Sequence, residues 1–360
     1  MIPPKHVSGV GMNRWFSPRP RERVNELFGR ETEVRRLINA LESNSWVAVL
    51  GPRMAGKTSL AISSSREFAK RHGYSVVYID LRNSTTLREA TERILRNLPR
   101  GVIKKLGAYL SSITIKGLEV RLKQNTSASG ALEEALRSLK KTVIILDEVQ
   151  KVREGLPQFL NVLSVAFNEN PELLIVFSGS YAGLVKKLFS QTYSEGLYAR
   201  QPIEITLNPW ERNVAEDFLQ KGLSECGIKI SGVELEDILW ELGTLPGWLS
   251  AYGLRRCLGD EHLKALYRVS ESAVNEAKRE LESLLEGRSP SAPMVVKLLS
   301  YGATWSELER TGISKRALHS LLNALMNDLY VVSKSQIGSR VVYRFTEPAY
   351  RKAALLISGG

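Results

Sequence analysis

Three short apolar runs stand out along the chain: Trp46-Val47-Ala48-Val49-Leu50, Val143-Ile144-Ile145-Leu146 and Leu173-Leu174-Ile175-Val176-Phe177. None alternates with polar residues, so each predicts a strand buried on both faces, as in a parallel sheet. A fourth run, Ser75-Val76-Val77-Tyr78-Ile79, ends in Asp80-Leu81-Arg82, where Asp80 either approaches the ligand edge or, the favoured reading, caps the next segment. Between the strands the apolar period lengthens to that of helices. Val34, Leu37, Ile38 and Leu41 form one stripe; Leu60, Ser64 and Phe68 form another, with Ala61, Ser65 and Ala69 beside it. Strands alternating with helices predict an α/β fold around a parallel sheet. Ile113-x-Ile115 and Leu118-x-Val120-x-Leu122, around Lys116-Gly117, predict a hairpin inserted into this section.

From Trp210 to about residue 287 the pattern is helical throughout: Val214, Phe218 and Leu219; Leu235, Ile238, Leu239 and Leu242; then a long charged stretch over 261–286. Leu245-Pro246-Gly247 breaks it, and Arg288-Ser289-Pro290-Ser291-Ala292-Pro293 has the composition of a linker. A short helix is expected over 294–301. Thr304-Trp305-Ser306-Glu307 opens a second with capping-box spacing, and Thr311-Gly312-Ile313 makes a turn. Ser314 caps a third helix with Leu318, Leu321, Leu322 and Leu325 on its buried stripe, and 331–333 and 340–345 flank a polar turn. This order of elements predicts a winged helix-turn-helix. The expected domains are thus an α/β core over 1–210, a helical lid over 211–287 and a winged helix over 288–360.

The first apolar run leads directly into Gly51-Pro52-Arg53-Met54-Ala55-Gly56-Lys57-Thr58, a complete G-x-x-x-x-G-K-[ST] loop, with Ser59 entering the helix behind it. Strand, glycine loop and helix together make a phosphate cradle: backbone N–H groups at the helix start point inward with the positive end of the dipole. Lys57 is expected to reach the β- and γ-phosphates, and Thr58 to offer its hydroxyl to Mg²⁺. A triphosphate site also needs a carboxylate, because Mg²⁺ takes hard oxygen ligands. Asp147 and Glu148 follow the second buried run, at the edge of a parallel sheet where ligands bind. Asp147 is the expected Mg²⁺ partner and Glu148 the group that polarises the attacking water. Ser178 and Ser180 leave the third run in what is either a simple turn or a way to set a hydroxyl near the γ-phosphate, with Ser180 favoured because it lies further out.

The motifs FGRE at 28–31, GPRMAGKTSL at 51–60, DEVQ at 147–150 and FSGS at 177–180, with LYARQPIEITLNPW at 197–210 and LPGWL at 245–249, keep a fixed order. In this the chain resembles the archaeal ATPase family, a branch of the AAA+/STAND group of P-loop NTPases. The resemblance implies an ATP/ADP-binding core, a helical lid beside the nucleotide and a winged-helix tail. It implies that Phe28, Gly29 and Arg30 lie on the adenine side, where the residues alone suggest a hydrophobic staple, and that Pro246 of the lid also contributes. Two positions depart from the family pattern: Ala199 precedes Arg200, and Gly243 is followed by Thr244 before Leu245-Pro246. Both touch elements expected to couple nucleotide state to domain arrangement. Arg53 and Arg200 are alternative partners for γ-phosphate charge.

Charge adds an output. The chain has 360 residues and a formal net charge of +12, and residues 291–360 carry nine Lys/Arg against four Asp/Glu. Lys315 and Arg316 open the third helix of the last section, at the positive end of its dipole, an arrangement that an anion would relieve. Duplex DNA is the expected anion, with His319, Ser320 and Asn323 facing base edges and Lys334 and Arg340 on the wing. The basic stretch 99–123 is expected to be a solvated insertion. The leading expectation is an ATP/Mg²⁺-dependent switch, hydrolysing slowly and coupled to DNA. The alternative is a nucleotide-sensing adaptor whose winged helix docks protein partners or a second copy. Cys226 and Cys257 sit in no CxxC or Cys/His cluster, so no structural disulfide, no zinc site and a reducing cytoplasm are expected. No run is long enough for a membrane span, and no signal-peptide core is found.

Overall fold

The computed structural model describes residues 14–113, 120–179 and 202–358. They fall into two compact units, one formed by residues 21–207 and the other by 14–20 together with 208–358.

The first unit is built on a five-stranded parallel sheet. Its strands are β1 (Val47–Leu50), β2 (Ser75–Asp80), β5 (Thr142–Asp147), β6 (Leu173–Ser178) and β7 (Ile203–Thr206), in the order β2-β5-β6-β1-β7. Every residue of β1, β5 and β6 is buried, as expected for central strands covered on both faces. Helices α1 (Glu31–Glu42) and α2 (Lys57–His72) pack together, and α3 (Leu87–Asn97), α5 (Ala128–Arg137) and α6 (Leu156–Glu169) form a second group. Register aligns the strand ends: Asp80 pairs with Asp147, and Asp147 with Ser178. Three polar residues therefore share one row at the C-terminal edge of the sheet. Asp80 accepts from the Arg82 N–H and pairs with its guanidinium, closing a local turn, while the helix that follows is capped by Thr86.

A short helix, α4 (Arg100–Lys105), leads into an antiparallel ribbon of β3 (Leu110–Ile113) and β4 (Val120–Leu122). Arg88 of α3 donates to the Leu122 and Lys123 carbonyls, and Glu92 accepts from the Leu122 N–H, fixing the ribbon to α3. The tip expected around Lys116-Gly117 lies outside the described residues.

The second unit contains α7 (Arg212–Glu225), α8 (Gly232–Leu242), α9 (Pro246–Cys257) and α10 (His262–Leu285). They are followed by α11 (Ala292–Tyr301), β8 (Ala303–Thr304), α12 (Trp305–Glu309), α13 (Lys315–Asn323), β9 (Val332–Ile337), β10 (Arg340–Phe345) and α14 (Pro348–Leu355). The last three strands pair antiparallel in the order β8-β10-β9. Thr304 and Glu307 complete a capping box, and the Ser314 hydroxyl accepts from the Ala317 N–H. Helix α11 begins earlier than expected, inside the linker composition. Pro293 is accepted in its first turn, where a helical N–H has no partner inside the helix. Helix α14 packs on α8, α10 and α11, with Tyr350 bonded to Glu280 and Lys352 to Glu241.

Two expectations are corrected here. Residues 14–20 do not join the α/β core they precede: Phe16 is buried in the second unit against Phe218. It lies in a slot that only glycine allows, since a Cβ on Gly222 or Gly253 would meet its ring within 2.2 and 2.3 Å. The cysteines, expected to be free, form a disulfide between the end of α7 and the end of α9, with Cα atoms 5.5 Å apart. Gly222 and Cys226, like Gly253 and Cys257, are one helical turn apart. The close approach that seats Phe16 thus also brings the sulfurs within bonding range. The disulfide removes the cysteine argument for a reducing compartment.

Candidate functional site: the glycine loop and the acidic strand end

The loop between β1 and α2 takes conformations that its residues dictate. Gly51 has φ +133°, and a Cβ there would lie 2.3 Å from the Leu207 carbonyl oxygen. Gly56, at φ 91°, turns the chain into α2, and Met54 lies in the left-handed region at φ 65°. Between them Pro52 and Ala55 are buried, while Arg53 is exposed. Lys57 is buried, and its ammonium donates to the carbonyls of Gly51 (2.9 Å) and Pro52 (2.7 Å), so the side chain folds back over the loop. The Ser59 hydroxyl accepts from the Arg21 N–H.

Asp147 closes the site from β5. Its Oδ2 accepts two hydroxyl hydrogen bonds at 2.9 Å each, one from Thr58 and one from Tyr78 of β2. Burial, and then the Asp147 charge, raise the Tyr78 phenol above its ordinary value, so the ring remains a donor. Sequence reasoning missed Tyr78. The signal available was its position two residues before Asp80, on the strand that feeds the same sheet edge.

Glu148 follows in the left-handed region, at φ 58° and ψ 35°. A non-glycine residue held there costs about 1 kcal/mol or more and marks a functional constraint. The turn is fixed by the Glu148 N–H, which donates to the Ser178 carbonyl at 2.8 Å, and by the Lys151 N–H, which donates to the Glu148 carbonyl. Burial pushes the Glu148 carboxyl above its ordinary value, Asp147 adds to the rise, and Lys57, Lys151 and Arg53 oppose it. A carboxyl so placed is a better proton acceptor than a solvated one. Ser178 is buried between Val49 and Asp147 in the sheet, and among the described residues its hydroxyl has no hydrogen-bond partner. Ser180 and Arg200 lie outside the described residues.

Upstream, Gly29 has φ 57° and leads to Arg30, which is buried before α1 and pairs with Glu33 at 3.2 Å. Phe28 is half-buried. Pro246 opens α9 in the second unit. Also in that unit, Lys315, Arg316, His319 and Ser320 are exposed along α13 and Asn323 is half-buried, while Lys334 and Arg340 are exposed on the β9–β10 hairpin.

A parallel sheet that carries a glycine phosphate loop after its first strand and paired acids after β5, one strand removed across β6, defines a P-loop nucleoside triphosphatase core. The chain belongs to the family described as an ATPase domain predominantly from Archaea, whose profile matches residues 27–251. The fold is similar to that of a Walker-type ATPase of Pyrococcus abyssi, with a TM-score of 0.75 at 23% identity over 95% of this chain and 99% of that one. It is also similar to the ORC2 protein of Aeropyrum pernix in ADPNP–ADP complexes, with a TM-score of 0.64 at 16% identity over 96% and 95% of the two chains. No curated protein matches the sequence.

Proposed function

We propose that the chain is an ATP- and Mg²⁺-dependent switch in which slow hydrolysis at the loop governs engagement of double-stranded DNA by the C-terminal helix-turn-helix and hairpin. The hydrogen bond from Thr58 to Asp147 carries the nucleotide half of this reading. It sets one hydroxyl and one carboxylate side by side at the mouth of the phosphate loop. Mg²⁺ is commonly held by one or two carboxylates together with substrate phosphates, and this donor set fits it. Bound there, the metal would neutralise charge on the phosphates. Lys57 holds phosphate in place of the two loop carbonyls, Glu148 takes the proton of the attacking water, and Tyr78 keeps the Asp147 carboxylate oriented.

Support for the DNA half comes from exposure and charge. Lys315 and Arg316 stand at the N-terminal end of α13, where Lys315 meets Glu309 at 3.9 Å, an ion pair at the limit of contact. His319 and Ser320 lie one turn further along the same helix, and across the hairpin ladder Lys334 pairs with Tyr343 and Arg340 with Ile337. Duplex titration at several salt concentrations, together with ATP hydrolysis measured with and without DNA, tests the proposal. Phosphate-driven affinity must rise steeply as salt falls. Absence of binding at low salt would reject DNA as the output and favour the adaptor reading.

A further inference from the structure

We propose that the groove between α8 and α10 docks a basic amphipathic helix of a partner protein. The groove has a volume of about 720 Å³ and is lined by Trp240, Leu263, Leu266, Tyr267, Val274 and Leu356, with Asp237, Glu241 and Glu271 among them. Trp240 is 74% exposed, Leu263 71% and Tyr267 67%. Isolated exposed apolar residues are ordinary, but two large aromatics and several aliphatics facing one groove are the mark of an interaction surface.

Helical spacing explains why they gather. On α8, Val233, Asp237, Trp240 and Glu241 recur at intervals of three and four, and Val233 is 72% exposed. On α10, Leu263, Leu266, Tyr267, Ser270, Glu271 and Val274 do the same. Both helices already bury another stripe in the unit: Leu235, Ile238 and Leu242 on α8, and Ala265, Val269 and Ala273 on α10. Beyond that packing α8 exposes Trp240 and α10 exposes Leu263 and Tyr267 to the groove, with buried Leu266 also in its lining. The lined stretch of α10, from Leu263 to Val274, is about 16 Å long at 1.5 Å per residue, which suits a helix of about three turns.

Charge selects the occupant. The chain as a whole is strongly basic, at +12, yet the groove lining has three carboxylates and no Lys or Arg. Glu241 is matched by Lys352 and also accepts from Ser270. Asp237 is hydrogen-bonded by His262, and among the described residues Glu271 makes no ion pair. An apolar floor with acidic edges and open aromatic faces fits leucine-type anchors flanked by Lys or Arg, whose cations the rings of Trp240 and Tyr267 also attract.

A fluorescein-labelled Leu/Ala/Lys helix of about sixteen residues, titrated into the full chain by anisotropy, tests this, alongside a peptide with Glu in place of Lys. The Lys peptide should bind, and the Glu peptide should bind at least about ten-fold more weakly. Trp240→Ala should weaken the Lys peptide about ten-fold, as loss of a central aromatic anchor does. Glu271→Lys should weaken the Lys peptide and strengthen the Glu peptide. Both substitutions are at exposed positions, and unchanged circular dichroism and unchanged ATP binding would confirm folding. The proposal is overturned if the Lys peptide fails to bind at low salt or binds Trp240→Ala equally well. It is equally overturned if sedimentation shows a self-associated chain that Trp240→Ala dissociates, since the groove would then belong to a second copy.

Discussion

Tyr78 and Thr58 donate to the same oxygen of Asp147, each at 2.9 Å. A single carboxylate oxygen fixed by hydroxyls from a strand and from the loop helix cannot rotate without losing one of them. Removing a hydrogen bond to a charged group costs about 1.5–3 kcal/mol. Tyr78→Phe is therefore expected to raise the Mg²⁺ concentration needed for half-maximal hydrolysis by about ten-fold, with ATP binding in the absence of metal little changed. A Mg²⁺ titration of the rate checks this; an unchanged midpoint would show that Thr58 alone orients the carboxylate.

Glu148→Gln should bind ATP as the unaltered chain does and hydrolyse it about 10²-fold or more slowly, within the range that general-base catalysis contributes. Lys57→Ala should lose nucleotide binding itself. Because the Glu148 carboxyl is raised above its ordinary value, the ionised base is lost at a higher pH than for a solvated glutamate. The acid limb of the rate profile should therefore lie above the ordinary carboxylate range, and Glu148→Gln should abolish it. Equal turnover by the two proteins would remove Glu148 from the chemistry.

Glu347, buried at the start of α14, is raised to about 7 by burial, with Arg351 opposing. A carboxyl raised on folding stabilises the folded state below its unfolded value. That contribution fades as pH climbs through the interval up to about 7. Glu347→Gln should thus match the unaltered protein near pH 4.5 and exceed it at pH 8, by an amount on the order of 3 kcal/mol for a shift of this size. Urea unfolding of the two proteins at the two pH values measures the difference. Equal pH dependence would show that Glu347 ionises without cost.

Reduction of Cys226–Cys257 should lower the melting temperature of the second unit. Chain-entropy loss for a loop of 31 residues is worth about 3–4 kcal/mol. Phe16→Ala should destabilise the same unit by about 3–5 kcal/mol, since it empties a packed aromatic site. The two effects should be less than additive, because both loosen the α7–α9 pair. Calorimetry with and without reductant, on both proteins, reads this directly.

The central strands were legible because residues such as Val47 and Ile144 face apolar neighbours on both sides, which forces an unbroken run. The loop was legible because Gly51 and Gly56 occupy backbone conformations and close approaches that other residues resist. Strand β7 is not legible in its own pattern, since four residues alternating at a sheet edge carry little signal. Tyr78 was hidden for a different reason: one aromatic in a strand reads as packing until register places it beside Asp147. The disulfide escaped because 31 residues separate cysteines that no spacing rule connects. The place of residues 14–20 was illegible because Phe16 owes its site to glycines more than 200 positions away.

The discontinuity of the second unit has a topological consequence. The ATPase unit, residues 21–207, enters the chain as an insertion between two segments that fold as one body. Cutting the polypeptide at residue 20 would spare every residue of the phosphate loop and still strip a core side chain from the unit at the other end of the sequence. Joining residue 20 directly to residue 208 is the corresponding way to excise the unit that carries the phosphate loop. Whether a shortened chain of this kind folds depends on keeping that first short segment, however dispensable a stretch ahead of the ATPase looks in the sequence.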